Sequence, residues 1–229
     1  EISECLVGSE MCIRDSFKTD DLKKCSRFWI ILFKTILSKL YHWKIYVVGS
    51  VEYQYPNHLF QAGYFLDKKY YDENTIDFKH LLLSEKNQSL LKDIQNSNSV
   101  GVHIRRGDYM TKQNLVIFGN ICTQKYYHDA IRIITEKVND AVFYVFSDDI
   151  SWVQTHLDIP NAVYVNWNTG ESSIYDMYLM SSCKYNIIAN STFSYWAARL
   201  NKKTNMVIYP SKWYNTFTPD IFPESWCGI

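Results

Sequence analysis

The chain has 229 residues, of which 47% are hydrophobic, 21% charged and 16% aromatic, and its 24 basic and 24 acidic side chains leave a formal charge of zero. This composition excludes a disordered chain, and eight glycines and five prolines exclude the collagen-like and low-complexity classes. Neutrality also lacks the basic footprint of a general nucleic-acid binder, so no nucleic-acid partner is expected, and the length holds one large domain or two small ones.

Residues 1–16 (EISECLVGSEMCIRDS) open on acids, lack the basic start and long apolar centre of a signal peptide, and carry no helical or strand period. They read as a non-native leader. Lys18 to Lys44 holds seven basic and two acidic residues threaded through Phe28, Ile31, Leu32, Ile36, Leu40 and Trp43, the pattern of a basic amphipathic helix. Such a helix is either a solvated face packed on a core or a peripheral contact with a membrane surface, and both stay open. No apolar run approaches the roughly 20 residues of a bilayer span. The six cysteines show no C-x-x-C and no histidine at ligand spacing, so neither a zinc site nor a disulfide framework is indicated. A reduced, cytoplasmic setting is expected, with peripheral contact at the inner membrane face as the open variant. Ile45 to Asp77 is irregular and aromatic. Glu85 to Ser99 ends in polar turn-formers and marks a boundary, with one domain expected at 17–98 and a second at 99–229.

Beyond the boundary Val100, Val102 and Ile104 alternate as a strand, and Ala141–Phe146, Ala162–Val165, Asn186–Ala189 and Met206–Tyr209 read as further short strands. Helices fall between them. Thr123 is placed to cap one whose Tyr127, Ala130, Ile131, Ile134 and Val138 keep a helical period, Ser173 with Asp176 has the spacing of a capping box, and another starts near Tyr195. Strands alternating with helices predict an α/β fold with a doubly wound parallel sheet.

Ligands of such sheets bind beyond the carboxyl ends of the strands, and the polar clusters of this chain fall there. His103 to Asp108 closes the first strand, Ser147-Asp148-Asp149 the second, Asn166 the third, and Asn190 to Ser194 the fourth. Adjacent Arg105 and Arg106 suit bidentate capture of phosphate. The hydroxyls of Ser191, Thr192 and Ser194, with free N–H groups at a helix start, suit an anion. Asp148 and Asp149 are acceptors for two N–H donors, as on a guanine edge, or for a ribose diol. Together these point to a nucleoside diphosphate. Each piece also has a structural alternative: a surface ion pair for the arginines, an N-cap for Asp149 or Ser194, and a packed strand position for His103. The sequence holds no G-x-G-x-x-G, no P-loop, no H-E-x-x-H and no D-x-D, so a dinucleotide fingerprint and a metal-dependent reaction are unsupported. The sequons at Asn87 and Asn190 are weak signals, since a glycan on the second would block the proposed crevice.

Three motifs in register then carry a resemblance. Val102-His103-Ile104-Arg105-Arg106-Gly107-Asp108-Tyr109, Val145-Phe146-Ser147-Asp148-Asp149 with Trp152, and Asp176 through Ala198 resemble the ordered motifs of glycosyltransferase family 11, the α-1,2-fucosyltransferases. Tyr209-Pro210-Ser211-Lys212-Trp213-Tyr214 and Phe222 to Trp226 resemble its C-terminus, and Gly63-Tyr64-Phe65 with Lys69-Tyr70-Tyr71 the stretch before its arginine motif. Family members begin with a strand and a Gly-rich loop that are not found here, so the resemblance implies an N-terminally truncated, bacterial-type member. It further implies a GT-B-like fold, with a Rossmann-like donor domain at 99–229 and an incomplete acceptor-side α/β domain at 17–98. The implied reaction is inverting, metal-independent and cofactor-free transfer of L-fucose from GDP-β-L-fucose to the 2-hydroxyl of a galactose-containing glycan. On this resemblance Arg105 stabilises the departing GDP, assisted by Arg106, Ser191 and Thr192, while His103 and one of Asp148 or Asp149 hold the nucleoside and Asp108 is the candidate general base. Two rivals remain: a remnant that binds GDP or a GDP-sugar without transfer, and an aromatic-rich carbohydrate-binding module.

Overall fold

The computed structural model describes residues 80–229 together with the short strands 17–18, 47–49, 61–63 and 77–78. The expected leader and nearly all of the basic segment Lys18 to Lys44 and of the aromatic stretch 45–77 lie outside the described residues. Residues 17–18 pair antiparallel with 77–78, and 47–49 pair parallel with 61–63.

Six strands build the main sheet: β1 (Asn98–Ile104), β2 (Ala141–Ser147), β3 (Ala162–Val165), β4 (Tyr185–Ile187), β5 (Met206–Tyr209) and β6 (Cys227–Gly228). Every pairing is parallel and the spatial order is β3-β2-β1-β4-β5-β6. The chain thus winds outward from β1 through β2 to β3, then crosses back to place β4 on the other flank of β1. That is the doubly wound Rossmann order, and its reversal between β1 and β4 opens a crevice at the strands' carboxyl ends. Among the described residues there are six helices, α1 (Glu85–Asn96), α2 (Lys112–Phe118), α3 (Gln124–Lys137), α4 (Ile150–His156), α5 (Ser173–Ser181) and α6 (Thr192–Arg199), and all but α2 bury a face in the core.

The two-residue period of the strands divides the core. Val100, Val102 and Ile104 of β1, with Phe143 and Val145 of β2, pack against Tyr127, Ala130, Ile131 and Ile134 of α3 and Val153 of α4. Tyr144 and Phe146 face the other way, onto Leu90 and Ile94 of α1, Met177 and Met180 of α5, and Ala197 of α6. Each fully buried Val, Leu, Ile, Phe or Met among them contributes roughly 1.5–3 kcal/mol. Gly101 lies under α5, and a Cβ there would stand 2.9 Å from Asn186 Nδ2 and 3.0 Å from Met180 Cγ, so the glycine lets the helix press on β1.

The predicted parallel α/β architecture is present, and Thr123 caps α3 by accepting from the Tyr126 N–H at 3.3 Å. Some boundaries differ. Leu90 and Ile94 put α1 in the same core as the sheet, so the expected boundary at 98/99 falls inside the packed unit. α6 begins at Thr192 rather than Tyr195, which draws Thr192, Phe193 and Ser194 out of the expected loop and into the helix. α2 was not predicted, because it presents no core face and Val116 and Ile117 are exposed. Among the described residues no helix is long and apolar enough to cross a membrane.

Candidate functional site

A cleft of about 370 Å³ opens at the carboxyl ends of the strands beside the β1/β4 reversal. Its wall takes His103 and Arg105 from the end of β1, Asp148 after β2, Asn166 and Asn168 after β3, Asp176 from α5, and Ser191, Thr192 and Phe193 at the start of α6. Residues distant in sequence meet here because parallel strands deliver all their carboxyl ends to one edge.

Strand parity sorts the first cluster. His103 and Arg105 are two apart and face the cleft, while Ile104 between them is buried in the α3 core. Arg105 donates to Asp108 Oδ1 at 2.8 Å and pairs with Asp148 Oδ2 at 3.1 Å, with its side chain 24% exposed. Of its five N–H donors only some are taken up by these contacts, and the remainder border the cavity. Arg106 turns the other way. Its guanidinium lies 3.7 Å over the Trp152 ring and its Nε meets Asp149 Oδ2 at 3.3 Å, so the two arginines do not form the expected fork. The Arg106 backbone N–H instead donates to Asp148 Oδ1 at 2.9 Å. Asp148 is therefore held at both oxygens, and a Cβ on Gly107 would collide with one of them, so the glycine leaves the carboxylate its place beside the turn.

Three further expectations change. Asp149 caps α4, accepting from the Trp152 N–H at 3.1 Å, and with its Arg106 contact it serves the β2–α4 turn rather than the cleft wall. Ser194 is fully buried, and its hydroxyl is directed to the carbonyls of Ala189 and Ser191, both at 3.2 Å, so it packs the helix start and does not reach a ligand. Asp108 sits on the 3₁₀ turn Gly107–Met110, half exposed and engaged with Arg105, and is not part of the cleft wall. Ser191 and Thr192 do stand on the wall, and Ser191 is the α6 N-cap with no hydrogen bond from its side chain to the helix. Ser191, Thr192 and Phe193 thus bring to the cavity wall the end of a helix, where backbone N–H groups lack intrahelical partners. Asn190 is consumed by structure, donating to the carbonyls of Phe118 and Trp213 at 3.2 and 3.0 Å. Asn190 is buried and so is Asn87, which leaves neither sequon open to a glycan.

The electrostatics rest on two buried groups. Burial, with the Arg105 charge beside it, holds the His103 imidazole down at about 3, so the ring is neutral. It stacks on Phe193 with ring centres 5.1 Å apart, and its Nδ1 has no hydrogen-bond partner among the described residues. Burial pushes the Asp176 carboxyl up to about 7, against the opposing effect of the Asn168 amide, which donates to Oδ1 at 2.6 Å. The sequence had assigned Asp176 to a capping box. The cap of α5 is Ser172 with no side-chain bond, and Asp176 faces the cleft. The legible signal was an acid set in an apolar helical run, Ile174 to Met180, at the carboxyl edge of the sheet. Of the aromatic residues considered for sugar stacking, Phe193 lines the cleft, Trp196 is core, and Tyr109 is tied to the Asn190 carbonyl at 2.9 Å. Among the described residues no cluster of His, Cys, Asp and Glu has the makings of a metal site.

The fold is that of a doubly wound α/β protein, and the cleft lined by His103, Arg105, Asp176 and the start of α6 lies at its switch point, where such sheets bind ligands. The chain belongs to glycosyl transferase family 11, whose model matches residues 22–229, and it is a glycosyltransferase of that family. It is 34% identical to an alpha-1,2-colitosyltransferase of Escherichia coli over 96% of this chain and 77% of the relative. It is 44% identical to the E. coli O-antigen biosynthesis glycosyltransferase WbnK over 52% of this chain and 40% of the relative. Galactoside alpha-(1,2)-fucosyltransferase 2 of Pongo pygmaeus is 28% identical over 66% of this chain and 48% of its own length. The chain therefore spans about half or less of the last two relatives. Among solved structures, the fucosyltransferase NodZ from Bradyrhizobium aligns with a TM-score of 0.41 at 16% identity, over 76% of this chain and 59% of that one.

Proposed function

We propose that the cleft holds the GDP of a GDP-sugar and that the chain transfers L-fucose from GDP-β-L-fucose, with inversion, to the 2-hydroxyl of a galactose-containing acceptor. The observation that carries this reading is the convergence of His103, Arg105, Asp176 and the Ser191/Thr192 start of α6 on one cleft at the strand reversal. Arg105 and the α6 N-terminus suit the diphosphate. Asp176, the wall carboxylate without a cationic partner among the described residues, suits the paired N–H donors on a guanine edge, which takes over the part first expected of Asp148 or Asp149. His103 adds one hydrogen bond through a neutral ring.

In the proposed reaction the acceptor oxygen attacks the anomeric carbon as its bond to the phosphate oxygen breaks. The bonding electrons leave on GDP, and the acceptor proton passes to a base on the acceptor side. Arg105 and the α6 N–H groups are positioned for the charge growing on the diphosphate, the charge-neutralising part that we assign to them in a metal-independent transfer. Asp108 is reassigned from base to orienting Arg105, together with Asp148. A cytoplasmic setting, with peripheral contact of the Lys18 to Lys44 segment at a membrane surface as its open variant, belongs to the same proposal.

A second donor is favoured by one finding, the 34% identity to a colitosyltransferase over nearly the whole chain. Colitose is fucose without its 3-hydroxyl, so one nucleotide site serves either sugar. The test offers GDP-fucose and GDP-colitose separately with a terminal galactoside, with and without EDTA, and reads product mass and linkage. The expected product is a 1,2-linked fucoside whose yield is unchanged by EDTA. Preference for colitose would replace the donor, and GDP binding without any product would favour the non-transferring remnant.

A further inference from the structure

Behind the cleft a chain of side-chain hydrogen bonds runs from α1 to Asp176. Trp167 Nε1 donates to Asn87 Oδ1 at 2.7 Å, Asn87 Nδ2 donates to Asn168 Oδ1 at 3.0 Å, and Asn168 Nδ2 donates back to Asn87 Oδ1 at 3.1 Å. Asn168 Nδ2 has a second N–H, which reaches Asp176 Oδ1 at 2.6 Å. Amide groups are ambiguous in orientation unless a neighbour has fixed polarity, and here the indole supplies it. An indole N–H is a donor only, so the oxygen of Asn87 must face Trp167. The reciprocal pair then forces the Asn168 oxygen toward Asn87 and its nitrogen toward Asp176. Asn87 is almost fully buried, and its amide plays no other evident part.

We propose that Asn87 is a positioning residue of the donor cleft: paired to Asn168 with a polarity set by Trp167, it aims an amide N–H at Asp176 and leaves Asp176 Oδ2 to meet the ligand. The ligand part of this statement rests on the donor-site reading above, whereas the orientation part stands without it. A carboxylate met by an N–H donor is more easily ionised than one met by a carbonyl, so the relay governs when Asp176 becomes an acceptor. The titratable and charged groups on the surrounding elements are His103 and Arg105 from β1, Asp148 after β2, Glu171 before α5, the tyrosines of α5, Arg199 on α6, and Glu85, Lys86, Lys92 and Asp93 on α1. All of them are common to the proteins compared below and cancel from the comparison.

Two measurements test the relay. In the wild-type protein the side-chain amide resonances of Asn168 should follow the titration of the Asp176 carboxyl, both read by NMR; amide signals that ignore that titration would overturn the proposal without any variant. In Asn87→Leu, which adds no charge, the Asn168 amide loses the partner that holds its oxygen away from Asp176, so its N–H is no longer aimed at the carboxylate. The Asp176 titration should then move upward by about one pH unit or more, and GDP affinity at neutral pH should fall at least about tenfold. Trp167→Phe, which removes the polarity but keeps the amide pair, should produce a smaller upward movement. An unmoved Asp176 titration in folded Asn87→Leu protein would refute the relay. Failure of the wild type to bind GDP would instead refute the donor-site reading, while the Asp176 titration would still judge the relay.

Discussion

Replacing Asp176 by asparagine separates stability from binding. Burial raises its carboxyl from 3.8 to about 7, so between those values the native state keeps a proton that the unfolded chain has lost. The stability this group contributes is full below 3.8 and is lost as pH rises through about 7, where the ionised form must be buried. Linkage puts the loss at about 0.5 kcal/mol near pH 4, about 2 near pH 5.5 and about 4 near pH 8, as orders of magnitude. Asparagine keeps the shape and an acceptor oxygen for the Asn168 amide but never ionises. Urea denaturation of both proteins at several pH values should give equal stability near pH 4 and a variant about 4 kcal/mol more stable near pH 8. His103 titrates in both and drops out of the difference. GDP affinity near pH 8 should fall at least about tenfold, because the N–H donors of the base then meet a neutral amide carrying donors of its own. A stability difference that is flat across pH, or a variant that binds GDP as wild type does, would refute the assignment of Asp176 as a buried, ligand-facing carboxylate.

His103 should act in the opposite sense: its folded value of about 3 lies below the ordinary 6.5, so its stability contribution is full above 6.5 and is lost as pH falls toward 3, by about 5 kcal/mol in all. His103→Phe should flatten that acid limb in the same denaturation series. Arg105→Ala should lower kcat/KM at least about a hundredfold, the scale of one lost preorganised donor, whereas Arg106→Ala, which loses the Trp152 and Asp149 contacts, should cost less than about tenfold; steady-state transfer rates check both. Ser194→Ala should cost about 1 kcal/mol of stability in thermal unfolding and leave the donor KM unchanged.

The sheet was legible in the sequence because buried parallel strands read as short apolar runs whose polar residues collect just past their ends. Ala162–Val165 and Met206–Tyr209 appear with the expected bounds, and the switch point follows from the same alternation. Side-chain direction was less legible. Arg105 and Arg106 look equivalent as neighbours, but in extended chain one must face the cleft and the other Trp152. Asp176 matched a capping signature at three-residue spacing, and only the course of α5 across the carboxyl edge shows that it faces the cavity. Ser194 lay outside the site for a comparable reason, since starting α6 three residues earlier turns its hydroxyl onto the preceding backbone. The Asn87 relay spans about 80 residues and depends on tertiary contact alone, with no local pattern to announce it.

On the proposed reading, the cleft between the end of β1 and the start of α6 holds GDP. Calorimetric titration of the full chain with GDP, with ATP as control, and of Arg105→Ala with GDP tests it most directly. Saturable one-to-one binding of GDP, no measurable heat from ATP, and marked weakening in Arg105→Ala are predicted, since adenine lacks the paired donors that Asp176 accepts. Equal binding of the two nucleotides, or an Arg105→Ala protein that holds GDP as tightly as wild type, would contradict it.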